Sequence, residues 1–102
     1  MKFIGVTSCP TGIAHSEMAA ESLEDKAEEM GHEMKVEIRG SLGTENELTD
    51  EDIEEADAVI IAADISVPEE RFEGMPKVDV PVQNAMTEPE DVIDKAVEAA
   101  GG

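Results

Sequence analysis

Strand-like and helix-like blocks alternate along the chain. Four segments predict strands: residues 2–7, 34–38, 58–63 and 78–82. Four segments predict a helix or a helical turn: residues 16–30, 50–56, 66–72 and 88–100. The first of these helices is the clearest, because apolar residues between positions 20 and 30 recur at spacings of three or four, which places them on one face. The pattern is therefore that of a domain that mixes both element types.

Local signals mark where several elements begin and end. Thr49 stands before three acidic residues, which predicts an N-cap with carboxylates in the first helical turn. Thr87 and Glu90 predict a capping box for the last helix. Residues 39–46 contain two glycines and predict a loop.

The alternation of strands and helices favours right-handed βαβ units and a parallel sheet. Residues 2–7 and 58–63 are apolar without clean alternation, which predicts central strands. The other two strands alternate with polar residues and are expected at the edges. We therefore expect one α/β domain over residues 1–102, three-layered and Rossmann-like, with a four-stranded parallel sheet in the order 2-1-3-4. Its binding crevice is expected at the carboxyl ends of the strands.

Composition narrows the function classes. The chain has 26 acidic and seven basic residues, for a formal net charge of −19. This surface repels phosphate at long range, which argues against nucleic-acid binding. No apolar run reaches the ~20 residues of a membrane-spanning helix, and no N-terminal segment is typical of a secretory signal, so we expect a cytoplasmic protein with no membrane insertion. The carboxylate-rich surface is typical of proteins from a salt-rich cytoplasm, where salt screens self-repulsion.

The single cysteine lies where the crevice is expected. Cys9 follows the first strand, and residues 10–15 form a short loop with a glycine before the helix. Backbone N–H groups of residues 11–16, together with the helix dipole, can bind a dianion and lower the pKa of the thiol. A thiolate in such a cradle is a nucleophile for phosphorus. The alternative is that Cys9 is only a small buried apolar residue.

The loop is better suited to carrying a phosphoryl group than to hydrolysing it. Cysteine-dependent phosphatases place an arginine six residues after the cysteine, and His15 stands at that position. Two roles stay open at this stage. His15 either donates to a phosphoryl oxygen or only fills space, and Ser16 either donates its hydroxyl or caps the helix. No cofactor and no metal site are indicated, because the acidic runs include no His or Cys at ligand spacing.

The loop and several later segments resemble the fructose-family enzyme IIB of the phosphoenolpyruvate-dependent sugar phosphotransferase system (PTS). The most specific part is residues 9–15, Cys-Pro-Thr-Gly-Ile-Ala-His, followed by residues 18–21. Supporting matches are Val36-Glu37, Gly40-Ser41, Gly43, Ala56-Asp57, Val59-Ile60, residues 62–64 and Arg71-Phe72. The chain departs from the family pattern at Ser16, where threonine is usual, and at Ile38-Arg39, where Thr-Gln is more common.

The resemblance implies a phosphocysteine loop after the first strand of a small parallel α/β domain. Cys9 would accept a phosphoryl group from a phosphohistidine of the IIA protein and pass it to a sugar, fructose, bound by the membrane component IIC, giving fructose 1-phosphate. The phosphoryl-binding residues would be Pro10, Thr11, Gly12, Ile13, Ala14, His15 and Ser16. The length leaves room for IIB alone, so IIA and IIC are expected as separate chains. The alternatives are a regulatory module that responds to phosphorylation of Cys9 and a cysteine phosphatase-like protein.

Overall fold

The computed structural model describes residues 1–8, 13–40, 43–63 and 70–101, and for residues 13–15 and 40 it describes the backbone alone. The strands are β1 (Lys2–Ser8), β2 (Glu33–Gly40), β3 (Gly43–Glu45), β4 (Ala58–Ala63) and β5 (Lys77–Val80). The helices are α1 (Ile13–Glu29), α2 (Asp50–Glu55), α3 (Val82–Thr87) and α4 (Pro89–Ala99), with a 3₁₀ turn at Glu70–Phe72. No described helix is long and apolar enough to cross a membrane.

The strands form one mixed five-stranded sheet in the order β3-β2-β1-β4-β5. β1 lies between β2 and β4 and pairs with both in parallel, and β5 pairs with β4 in parallel. β3 runs antiparallel to β2, with Gly40 opposite Gly43. The predicted four-stranded, wholly parallel, Rossmann-like sheet in the order 2-1-3-4 is therefore wrong, and β2 is not an edge strand.

A tight hairpin explains the additional strand. The segment predicted as a loop, residues 39–46, contains the end of β2 and all of β3. Gly43 has φ 140° and Asn46 has φ 54°, and the left-handed region is open to glycine and tolerated by asparagine. Gly43 stands where β3 begins, opposite Gly40 of β2, and Asn46 stands directly after β3, where the chain leaves the sheet.

Helices cover both faces of the sheet. One hydrophobic cluster joins α1, α3 and α4 to the sheet face that carries Phe3 and Ile60. The other cluster packs α2 and the 3₁₀ turn against the face that carries Ile4 and Ile61. Because successive side chains of a strand point to opposite faces, the apolar runs of β1 and β4 supply both clusters. These two strands are central, as the sequence predicts.

Several helix boundaries differ from the prediction. α1 begins at Ile13, three residues earlier than expected. Val82, expected in the fourth strand, begins α3 instead, because Pro81 has no N–H for the ladder and occupies the N-cap position of that helix. The capping box expected at residues 87–90 is also wrong. The N-cap of α4 is Glu88 without a side-chain bond, and the Thr87 hydroxyl donates to the Gln83 carbonyl at 3.0 Å.

The predicted cap of the short central helix is confirmed. Thr49 Oγ1 accepts from the Asp52 N–H at 3.1 Å, and Asp52 Oδ2 accepts from the Thr49 N–H at 3.0 Å. Lys35 also donates to Asp52 Oδ2 at 2.6 Å. The hydrogen bond from Lys35, supported by those from Thr49, lowers the pKa of Asp52 to about 2. This carboxylate therefore joins β2 to the beginning of α2.

Candidate functional site

The carboxyl end of β1 and the amino end of α1 lie close together. β1 ends at Ser8 and α1 begins at Ile13, so four residues connect a central strand to a helix N-terminus. The Thr7 hydroxyl donates to the Ser16 carbonyl at 3.3 Å, which fixes the first turns of the helix against the end of the strand. The strand–loop–helix order predicted around Cys9 is therefore present.

The predicted site residues fall into two groups. Cys9, Pro10, Thr11 and Gly12 lie outside the described residues. The remaining four, Ile13, Ala14, His15 and Ser16, form the first turn of α1. The first N–H groups of an α-helix have no acceptor within the helix, so this turn presents backbone donors at the carboxyl edge of the sheet. The role of the His15 side chain stays a prediction.

The charge at this helix end differs from that of α2 and α4, whereas α3 likewise has no acidic residue in its first turn. The first turn of α1 contains no acidic residue. By contrast, three acidic residues occupy the first turn of α2, and two occupy that of α4. Carboxylates near a helix N-terminus offset its partial positive charge. The N-terminus of α1 lacks such a carboxylate in its own first turn, although the chain carries 26 acidic residues.

Ser16 is the one predicted site residue whose side chain is described. It is fully buried, and its Oγ has no hydrogen-bond partner within the described residues. Ser16 is the fourth residue of α1, so the alternative that it caps this helix is wrong. Buried hydroxyls without a partner are rare in native proteins. Within the described part of the chain, the hydroxyl is thus a buried hydrogen-bonding group without a partner in the first turn of α1.

A buried ion pair lies on the sheet face opposite α1, towards the carboxyl end of β2. The Glu37 side chain on β2 is only 1% exposed. Arg71, at the 3₁₀ turn, donates through Nη1 to Glu37 Oε1 at 3.1 Å and through Nη2 to Oε2 at 2.8 Å. The Leu48 N–H donates to Oε1 at 3.0 Å, and Arg39 Nη1 reaches Oε2 at 3.4 Å. Both carboxylate oxygens are therefore satisfied.

The surroundings keep Glu37 ionised. Burial alone raises the pKa of this carboxyl, but the hydrogen bonds from Arg71 and Leu48 and the charges of Arg71 and Arg39 together lower it below its ordinary value. The Arg71 guanidinium also lies 5.1 Å from the centre of the buried Phe72 ring, a cation–π distance. Hydrogen bonds thus stabilise the carboxylate of the pair, and the Phe72 ring contacts its guanidinium.

Sequence reasoning missed this cluster. Glu37 occupies one of the polar positions in the alternation of β2, a position typical of a solvent-facing side chain, whereas the side chain is buried. The available signal was the scarcity of arginine, since Arg39 and Arg71 are the only two in the chain. Both contact the same carboxylate.

A sizeable concavity among the described residues lies away from this site. It has a volume of about 740 Å³ and adjoins the amino ends of β1 and β2. It is lined by Lys2, Glu24, Asp25, Glu28, His32, Glu33, Met34, Lys35 and Asp52. Burial raises the pKa of Glu24, and the charges of neighbouring Asp25 and Glu21 add to this, against a hydrogen bond from the Val36 N–H. Within the described ranges, no three His, Cys, Asp or Glu side chains are grouped to hold a metal ion.

Comparison with known proteins gives one consistent result. A family model described as "PTS system, Lactose/Cellobiose specific IIB subunit" matches residues 4–95. The "PTS system fructose-specific EIIB component" of Haloferax volcanii is 50% identical over 98% of this chain, which spans 63% of that relative's length. The "PTS system fructose-specific EIIABC component" of Bacillus subtilis is 49% identical over 94% of this chain, which spans 15% of that relative.

A solved structure agrees with these sequence matches. The structure described as "a domain of fruA from Bacillus subtilis" superposes with a TM-score of 0.88 at 45% identity, covering 97% of this chain and 95% of that one. Sequence identity and coverage this high indicate membership of the same family and not a shared fold alone. The chain belongs to the IIB family of the PTS, in its fructose-type group.

Proposed function

We propose that this chain carries a phosphoryl group as a phosphocysteine at Cys9, between a IIA donor and a sugar bound by a membrane IIC component. The observation that carries the proposal is the junction of β1 and α1. A central strand ends one residue before the cysteine, and a helix free of acidic residues in its first turn begins four residues after it. The family membership of the chain supports the same role.

The first transfer is an in-line displacement. The Cys9 thiolate attacks the phosphorus of the donor phosphohistidine, the S–P bond forms as the N–P bond breaks, and the imidazole keeps the electron pair. Backbone donors of the first turn of α1 stabilise the negative oxygens, and the partial positive charge of the helix end favours the thiolate. In the second transfer a sugar hydroxyl attacks the phosphorus, the thiolate leaves, and a base on IIC takes the hydroxyl proton.

The residues of the loop favour a carrier over a phosphatase. A cysteine phosphatase holds the phosphoryl oxygens with the bidentate fork of an arginine six residues after its cysteine. His15 stands at that position and cannot reproduce the fork. A phosphocysteine that is bound but not hydrolysed can be handed to an acceptor.

Partners and sugar follow from the relatives, as proposals. The Bacillus relative is named as an EIIABC component, which supports IIA and IIC modules as donor and acceptor. The family model's description mentions lactose and cellobiose, whereas the relatives' names specify fructose. We take fructose as the sugar, with fructose 1-phosphate as product, because these relatives are about half identical to this chain over nearly its full length. We propose that the exchange with IIA takes place in the cytoplasm.

The test is phosphorylation from phosphoenolpyruvate and the upstream PTS proteins, followed by mass spectrometry of the Cys9 peptide. We expect an acid-stable, iodine-labile phosphoryl adduct on the wild type and none on Cys9→Ser. Ser16→Ala should fold normally, because it removes a buried hydroxyl that has no described partner, and should slow labelling if that hydroxyl supports the site.

Three results would contradict the proposal. Labelling that persists in Cys9→Ser would place the phosphoryl group elsewhere. Steady hydrolysis of para-nitrophenyl phosphate by the chain alone would indicate a phosphatase. Labelling of Cys9 without any dependence of sugar uptake on this protein would indicate a regulatory module.

A further inference from the structure

Two guanidinium groups contact one carboxylate near the carboxyl end of β2. Arg71 binds both oxygens of Glu37 at 3.1 and 2.8 Å, whereas Arg39 makes a single contact with Glu37 at 3.4 Å. One carboxylate and two guanidiniums leave one net positive charge in this cluster. This positive charge, counted over these three side chains, stands in a chain with a formal net charge of −19.

Arg71 and Arg39 use their charges differently. Arg71 neutralises the buried carboxylate with a two-bond fork, the strongest geometry for this pair. The Arg39 side chain is 37% exposed, and within the described residues its hydrogen bonding is limited to the long contact through Nη1. Among the residues that the structure describes, its Nε and Nη2 donors have no partner, which leaves them for a ligand. A guanidinium with two free donors matches two oxygens of one phosphoryl group.

The position of Arg39 relates it to the proposed acceptor. Arg39 is the register partner of Ser8 in the parallel pairing of β1 and β2. Neighbouring strands lie about 4.8 Å apart, and paired residues in a parallel ladder point to the same face. Ser8 is bonded directly to Cys9. Arg39 thus lies on the strand next to the one that leads into the phosphoryl-accepting loop, on the same sheet face as Glu37 and opposite α1.

We propose that Arg39 binds the phosphoryl group of the incoming donor and guides it to the loop that follows Ser8. The Glu37–Arg71 pair anchors the arginine without cancelling its charge. This inference rests on the proposed function and adds a residue to it. A phosphoryl dianion is favoured over a carboxylate of the donor surface for two reasons: it carries more charge, and it must arrive beside Cys9 for transfer to occur.

The test compares Arg39→Gln and Arg39→Lys with Lys95→Gln, a matched loss of one positive charge. Lys95 lies on α4, is half exposed, and pairs only with Asp91 at 3.6 Å among the described residues. The readouts are kcat/KM for labelling of Cys9 by phosphorylated IIA at low and high KCl, and the affinity for unphosphorylated IIA. We expect Arg39→Gln to lower kcat/KM about tenfold or more, since a charge-assisted hydrogen bond is lost.

The other arms make the inference specific. Arg39→Lys should recover part of the rate, Lys95→Gln should stay within about twofold of the wild type, and affinity for unphosphorylated IIA should not change. The loss in Arg39→Gln should shrink as KCl rises. Thermal unfolding of Arg39→Gln should resemble that of the wild type, because Arg71 still pairs with Glu37.

Distinct outcomes overturn distinct claims. If Arg39→Gln behaves like Lys95→Gln, or weakens unphosphorylated IIA equally, the inference is wrong while the proposed function stands. If the rate falls only in step with lost thermal stability, Arg39 has a structural role alone. If the wild-type chain takes no label from phosphorylated IIA, the proposed function fails and this inference fails with it.

Discussion

Replacing Arg71 with methionine removes the partner of a buried carboxylate. The side chain of Glu37 is 1% exposed, and among the described residues the substitution leaves it the Leu48 N–H and the long contact with Arg39. Removing one member of a buried ion pair typically costs about 3–5 kcal/mol, because the remaining charge stays desolvated. A domain of this size is stable by about 5–15 kcal/mol. We therefore expect Arg71→Met to lose a large part of its free energy of unfolding at pH 7.

The pH dependence of this loss has a definite sign. In the wild type the pKa of Glu37 is lowered below its ordinary value, so its stabilising contribution is present at neutral pH and is lost as pH falls through the folded-state pKa. Without Arg71, burial becomes dominant and raises the pKa of Glu37 above the unfolded value. The folded variant then binds a proton more readily than the unfolded chain. Its deficit relative to the wild type should narrow as pH falls from 7 to 5.

The assay is urea unfolding of both proteins at several pH values, with the difference in unfolding free energy as the readout. Taking the difference cancels the titration of the other carboxylates that the two proteins share. Lys95→Met is the control, since its exposed pair with Asp91 should contribute at most about 1 kcal/mol at any pH. A loss below about 1 kcal/mol in Arg71→Met, or a deficit that widens as pH falls, would refute the reasoning about this pair.

Two further predictions concern packing and net charge. Gly5→Ala should lower the unfolding free energy by about 1–3 kcal/mol in urea titrations. A Cβ there would lie 3.2 Å from the Ile60 carbonyl oxygen of β4, a backbone atom, whereas Met34 Cε at 2.9 Å is the end of a flexible side chain that can move. An unchanged midpoint would contradict this prediction. The unfolding free energy should rise with KCl, since screening shortens from about 10 Å at 0.1 M to about 3 Å at 1 M and the net charge is −19. An unfolding free energy that stays constant over this range of KCl would contradict the prediction about net charge.

The parallel core of the fold was predictable because its signals are local and strong. The apolar runs at β1 and β4 predict central strands, and both are central in the sheet. β3 was not predictable in the same way. Its three residues are all exposed, so no apolar pattern marks it, and only the glycines at 40 and 43 indicate a turn.

Errors near the C-terminal end have a different cause. Val78, Val80 and Val82 alternate regularly, but the strand ends at Val80 because Pro81 interrupts the ladder. α3 then begins where the alternation appeared to continue. The Thr87–Glu90 spacing fits a capping box by composition alone. However, α3 extends through Thr87, and the Thr87 hydroxyl donates to the Gln83 carbonyl within that helix. In both places one competing local constraint overrides a pattern that is otherwise valid.

In the candidate site, too, the features set by neighbouring residues were predictable and those set by distant residues were not. The order of strand, cysteine, short loop and helix is local, so the sequence predicts a helix N-terminus beside Cys9, and the described residues contain that helix end. The Glu37–Arg71 pair joins residues 34 positions apart. Nothing in the alternation of β2 distinguishes a buried, paired carboxylate from a solvated one, because the pairing depends on tertiary structure.

This division bears on how so acidic a chain could handle a phosphoryl dianion. Net charge acts at long range, and at molar salt it is screened within about 3 Å. Contacts at hydrogen-bond distance are screened far less, so the sign of the local field decides binding. Here the first turn of α1 is free of acidic residues, and Arg39 and Arg71 together exceed the charge of Glu37, the carboxylate that they share. An acidic surface and an anion-accepting edge are therefore compatible, provided that the carboxylates are excluded from that edge or paired within it.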